Sequence, residues 1–88
     1  MTLVERFEDA QRRVKQLASA PPTDTLLELY ALFKQGSTGD VQGARPGMMD
    51  FKGRAKWDAW AKRKGQSKDQ AMEAYIALVD SLARRSPH

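Results

Sequence analysis

Tyr30 and Lys34 stand four residues apart, so on a helix they share one face a single turn apart and can direct a phenol and an ammonium at one phosphate. The same spacing also describes a surface lysine beside a core tyrosine, and spacing alone leaves both readings open. Lys52, Arg54 and Lys56 form a basic run that suits an anion, although the commoner fate of such a run is a solvated helix face. Trp57 and Trp60 can stack on a flat base. Aromatic residues at helical spacing more often build a core, and we read both as structural. Arg45-Pro46-Gly47 offers a cation for a phosphate, but proline followed by glycine is a turn signal, and we read the segment as a turn leading into a helix.

Catalytic chemistry finds little support. The chain has no cysteine and one histidine, His88, so it offers neither a thiolate nor a histidine dyad, and its scattered carboxylates are explained by helix caps and solvated faces. The reading is therefore no enzyme, no metal centre and no cofactor. Fifteen Lys and Arg against eleven Asp and Glu give a formal charge of +4. That balance favours an anionic partner without choosing among nucleic acid, membrane and phosphorylated metabolite. No apolar run approaches the roughly 18 residues of a membrane span. Met1-Thr2-Leu3-Val4-Glu5-Arg6 lacks the layout of a signal peptide, so the expectation is a soluble cytoplasmic protein.

The elements that must position these side chains follow from periodicity. At 88 residues the chain suits a single domain spanning 1–88, since so short a chain cannot support two cores. Leu3, Phe7, Ala10, Val14 and Leu17 draw one stripe on a first helix, capped by Thr2 with Glu5 and expected to end near Ala18, before Pro21-Pro22. Thr23 and Asp24 are expected to cap a second helix, with Leu26, Leu29, Tyr30 and Phe33 on one face and Leu27, Ala31 and Lys34 on the next. Gly36 to Asp50 reads as one long loop. Asp50 caps a third helix carrying Ala55, Lys56, Trp57, Trp60 and Lys64, with Gly65 as its stop. Ser67 with Gln70 caps a fourth, striped by Met72, Tyr75, Ile76, Val79 and Leu82. Arg84 and Arg85 suit its C-terminal dipole, and Ser86-Pro87-His88 is expected to fray. The fold class is all-α, a four-helix bundle whose long loop permits the second and third helices to run parallel.

Leu29-Tyr30-Ala31-Leu32-Phe33-Lys34-Gln35, Gly39-Asp40, Arg45-Pro46-Gly47 and above all Asp50-Phe51-Lys52-Gly53-Arg54-Ala55-Lys56-Trp57-Asp58-Ala59-Trp60 follow one order and spacing. With Ala71-Met72-Glu73-Ala74-Tyr75-Ile76 they resemble the acyl-CoA-binding protein family over roughly Phe7 to Leu82. The resemblance implies an up-down-down-up four-helix bundle that binds one fatty acyl-CoA without catalysis. It implies that Tyr30, Lys34 and Lys56 contact the phosphorylated ribose and adenine region, with Lys15 nearby, Phe33 beside them and Tyr75 contributing from the last helix. Phe7, Ala10 and Leu27 match positions near the ligand on the first two helices, which we assign to the acyl groove.

Two departures from the family stand out. Phe33 keeps a ring where many members carry a second tyrosine but lacks the hydroxyl, and Gln11 is longer than the small residue common there. The ligand's energetics favour its tail, because each buried methylene contributes about 0.8 kcal/mol and a hydrogen bond to a charged group roughly 1.5–3 kcal/mol. We expect a monomeric carrier of medium- to long-chain acyl-CoA, with no nucleic-acid partner, no integral membrane segment and transient contacts with acyl-CoA-using enzymes or membranes. The alternative from another class is a small basic nucleic-acid-binding module, for which the sequence shows no reading motif.

Overall fold

A computed structural model describes residues 1–85. Among them are four α-helices and no strand: α1 Leu3–Val14, α2 Thr23–Ser37, α3 Phe51–Ala61 and α4 Lys68–Arg85. The expected frayed end at 86–88, including His88, lies outside the described residues.

Three of the helices begin where their side chains cap them. Thr2 Oγ1 accepts from the Glu5 amide at 3.1 Å while Glu5 accepts from the Thr2 amide at 2.9 Å, and the second bond in particular holds the Glu5 carboxyl below its ordinary pKa. Ser67 and Gln70 exchange the same pair of bonds ahead of α4. Asp50 accepts from the Gly53 amide at 2.9 Å. At α2 the structure corrects the expectation. Its N-cap is Pro22, which makes no side-chain cap bond, and Thr23 and Asp24 already lie within the first turn. The proline ring presets the backbone for helix entry, and Asp24 still places a negative charge at the positive end of the helix dipole.

Two helix ends also differ from expectation. The first helix stops at Val14 rather than near Ala18, with Lys15 as its C-cap. The chain turns tightly, with the Gln16 amide on the Arg13 carbonyl at 3.0 Å. Leu17 thereby leaves the helix and lines a crevice with Pro21, Pro22, Thr25 and Leu82. In contrast, α2 continues past Gln35 to Ser37, so the loop spans 38–50 and Gly36 is helical. A Cβ on Gly36 would stand 3.1 Å from Phe7 Cζ and 3.2 Å from Met72 Cγ, so glycine permits α2 to close on its neighbours.

The core gathers Phe7, Ala10, Leu29, Leu32, Ala71, Met72, Tyr75, Ile76 and Val79. The buried face of α2 is turned towards Leu29, Ala31, Leu32, Gln35 and Gly36, leaving Leu26 46% exposed although the stripe expected it inside. Helix α4 packs on both α1 and α2, and α3 packs on α2. The Phe7 ring meets Tyr75 edge-on at 5.1 Å and Arg13 Nη1 reaches Asp80 Oδ1 at 2.8 Å, contacts that advance together along α1 and α4. Gly36 approaches Met72 while Thr25 shares a crevice with Leu82, so α2 runs against α4.

A buried polar clasp fixes the loop. Gln35 is fully buried, and its Nε2 donates to Asp40 Oδ1 at 2.8 Å and to the Gln66 carbonyl at 2.7 Å. Asp40 Oδ1 also accepts from the Gly65 amide at 2.9 Å, and Trp60 Nε1 donates to the Gly39 carbonyl at 2.8 Å. These bonds tie the start of the loop to the link between α3 and α4. Gly65 sits there at φ +93°, in the left-handed region that glycine occupies without a Cβ penalty.

Candidate ligand-binding site

The site is built where α3 lies against α2. Asp50 caps α3, and Arg45 holds its middle with two bonds to Asp58, Nε to Oδ1 at 2.8 Å and Nη2 to Oδ2 at 2.7 Å. This fork keeps the Asp58 carboxyl below its ordinary pKa and commits Arg45 to positioning; the turn expected at Arg45-Pro46-Gly47 falls later, where the Asp50 amide closes on the Gly47 carbonyl.

Across the seam the side chains meet in two steps. The Lys56 ammonium stands 5.3 Å from the centre of the Tyr30 ring, and one turn further along each helix the Lys34 ammonium stands 4.9 Å from the Trp60 ring. Each contact contributes about 0.5–1 kcal/mol at an exposed site. Arg13, Arg45 and Arg63 are all engaged by carboxylates, whereas Lys34 and Lys56 form no ion pair among the described residues. A ring face positions an ammonium without consuming its three N–H donors, which remain able to bond an anion.

A groove of about 580 Å³ lies beside this pair. Leu27 and Ala31 from α2 line it with Ala55 and Ala59 from α3, and the three alanines, with so little side chain, leave an apolar trough unfilled. Asp24, Glu28, Asp58, Lys62 and Arg63 complete the lining, with Arg63 Nη2 on Glu28 Oε1 at 3.4 Å. None of Tyr30, Lys34 and Lys56 lines the groove; Tyr30 stands three residues from the lining residue Leu27 and Lys56 three from Ala59, so on their helices they neighbour it.

The remaining residues named from the sequence divide into groups. Phe7, Phe33 and Tyr75 form an aromatic cluster, with ring centres 6.2 Å apart for Phe7 and Phe33. Phe7 and Tyr75 are buried and Phe33 is half-buried. Burial raises the Tyr75 pKa, which keeps its phenol protonated and able to donate. Ala10 is fully buried, and Leu27 is half-buried in the groove. Lys15 is exposed at the C-cap of α1 and makes no ion pair or ring contact among the described residues. The Gln11 amide folds back onto the Phe7 carbonyl at 3.4 Å.

Sequence reasoning missed Ala31, Ala55 and Ala59 as groove residues and Trp60 as the platform under Lys34. Trp60 is buried and structural, as read, and carries this second contact as well. The overlooked signal was a pair of four-residue spacings of small or apolar side chains, Leu27 with Ala31 and Ala55 with Ala59, on helices that had to pack.

Comparison with known proteins places these features in a family. The family model described as Acyl CoA binding protein matches residues 4–79. Acyl-CoA-binding protein homolog 1 of Caenorhabditis elegans is 55% identical over 76 residues, covering 86% of this chain and 88% of the relative. The crystal structure of Oryza sativa Acyl-CoA-Binding Protein 2 superposes with a TM-score of 0.90 at 40% identity, covering 94% of this chain and 92% of that one. The solution structure of Acyl Coenzyme A Binding Protein from yeast gives a TM-score of 0.72 at 46% identity, over 91% and 93% of the two chains. With its matched sequence running from α1 into α4, the chain belongs to the acyl-CoA-binding protein family.

Proposed function

We propose that the protein is a single-domain, non-enzymatic carrier of medium- to long-chain fatty acyl-CoA esters, working as a cytoplasmic monomer. The observation that carries this reading is the pair of lysines, Lys34 and Lys56, held on aromatic rings without carboxylate partners beside an apolar-floored groove. The ammonium groups and the Tyr30 phenol hold the phosphorylated ribose, and the acyl chain runs along Leu27, Ala31, Ala55 and Ala59. Tyr75 donates from α4 with Phe33 beside it, Phe7 and Ala10 back α2 from within the core, and Lys15 adds positive field at the end of α1. Burying a long tail at about 0.8 kcal/mol per methylene supplies most of the affinity, and the phosphate contacts select coenzyme A.

Non-catalytic carriage agrees with a sequence that has no cysteine and only His88 as histidine. Transient contact with membranes and acyl-CoA-using enzymes completes the role of a carrier. Protection from heat denaturation tests the reading, because a ligand that binds only the native state stabilises it by about 2.7 kcal/mol at a hundred times its Kd. Palmitoyl-CoA should raise the melting temperature where an oligonucleotide at the same ionic strength does not. The reverse result would favour the nucleic-acid alternative.

A further inference from the structure

The segment between α2 and α3 ends in a turn whose side chains are the wrong kind for its position. The Asp50 amide closes on the Gly47 carbonyl at 3.0 Å, which puts Met48 and Met49 at the tip, and Phe51 follows as the first residue of α3. Turn tips favour Gly, Asn, Asp and Ser for reasons of backbone freedom and local hydrogen bonding. Here the tip carries two long apolar side chains. Met48 is 77% exposed, Met49 87% and Phe51 74%, so three large apolar side chains within four residues are left in solvent. Neither the core nor the groove uses them.

We propose that Met48, Met49 and Phe51 form a knob that docks on an anionic lipid bilayer. Charge complementarity selects this occupant. Lys52 and Arg54 follow the knob directly, and between residues 41 and 57 the sole carboxylate is Asp50, which caps the Gly53 amide. Apolar side chains on a turn tip enter the headgroup boundary while flanking cations meet anionic lipid. A second copy of the chain would bring one basic flank against another, which disfavours self-association through this point. Methionine suits a fluid target, because its unbranched, polarisable side chain adapts to irregular surroundings. The inference rests on the turn and its flanks, and it stands whether or not the groove holds an acyl chain.

Cosedimentation of the full chain, free of acyl-CoA, with phosphatidylcholine vesicles with and without phosphatidylserine tests it. The protein should sediment with the anionic vesicles, and less so as salt rises. The combined Met48→Ser, Met49→Ser and Phe51→Ser substitutions should lower vesicle affinity about tenfold or more while leaving palmitoyl-CoA affinity unchanged. Met49→Asp provides a second variant that keeps the fold, because aspartate is at home at a turn tip, and it should weaken vesicle binding through both lost insertion and repulsion. Equal vesicle binding by wild type and Met49→Asp would overturn the proposal, as would failure of the wild type to bind anionic vesicles. A dimer abolished by the triple substitution, without vesicle binding, would reassign the knob to self-association and equally overturn it.

Discussion

The ammonium of Lys56 on α3 stands 5.3 Å from the centre of the Tyr30 ring on α2, joining the two helices at the border of the groove between them. The contact orients the lysine without neutralising it. A carboxylate in place of the ring would have occupied the N–H donors that the proposed phosphate contact uses.

Lys56→Ala should therefore weaken palmitoyl-CoA binding by about 1.5–3 kcal/mol, the scale of a lost charge-assisted hydrogen bond. The loss should be much smaller for 3′-dephospho-palmitoyl-CoA, whose missing phosphate leaves Lys56 nothing specific to hold. Calorimetry on both ligands measures the coupling. Equal losses would mark Lys56 as a general surface charge.

Ala59→Leu fills the trough between Leu27, Ala31 and Ala55. Displacing about two methylenes of the tail costs roughly 1.6 kcal/mol, more than tenfold in affinity. Binding of palmitoyl-CoA should fall by that factor while free CoA binds as before. Unchanged palmitoyl-CoA affinity in a folded variant would place the tail elsewhere.

Gln35→Leu removes the buried donor shared by Asp40 and the Gln66 carbonyl. Asp40 keeps the Gly65 amide, and the unpaired Gln66 carbonyl should cost about 1–3 kcal/mol in urea unfolding, with a fall of roughly 4–8 °C in Tm for each kcal/mol in a domain of this size. A shift within error would mean that the clasp is dispensable.

Asp40 makes stability depend on acid in a defined direction. The Gly65 amide first, and then Gln35, stabilise its carboxylate and lower its native pKa below that of the unfolded chain. Its contribution is fully present above the ordinary carboxyl range near about pH 4 and is lost as pH falls through the lowered native value. Asp40→Asn should therefore give a shallower decline in stability below that range, read by urea unfolding across pH. An acid slope equal to the wild type would remove Asp40 from the account.

The helix starts at Thr2, Asp50 and Ser67 were legible because capping is local, settled within three residues by side chains that reach back to nearby amides. The place of Gly36 inside α2 was not, because it depends on close approach by Phe7 and Met72 from distant parts of the chain. The burial of Gln35 likewise follows from partners at Asp40 and Gln66, which no local pattern reveals. The groove was the least legible feature. It is a space between two helices, and alanines that create such a space look in sequence like ordinary helix formers.

The most direct test of carriage is isothermal titration of the protein with palmitoyl-CoA and, separately, with free CoA under the same conditions. Palmitoyl-CoA should bind one to one and far more tightly than free CoA if, as proposed, the acyl chain lies in the trough lined by Leu27, Ala31, Ala55 and Ala59 and supplies most of the binding free energy. Equal affinity for the two ligands would contradict the account, since the groove would then contribute nothing to holding a fatty chain.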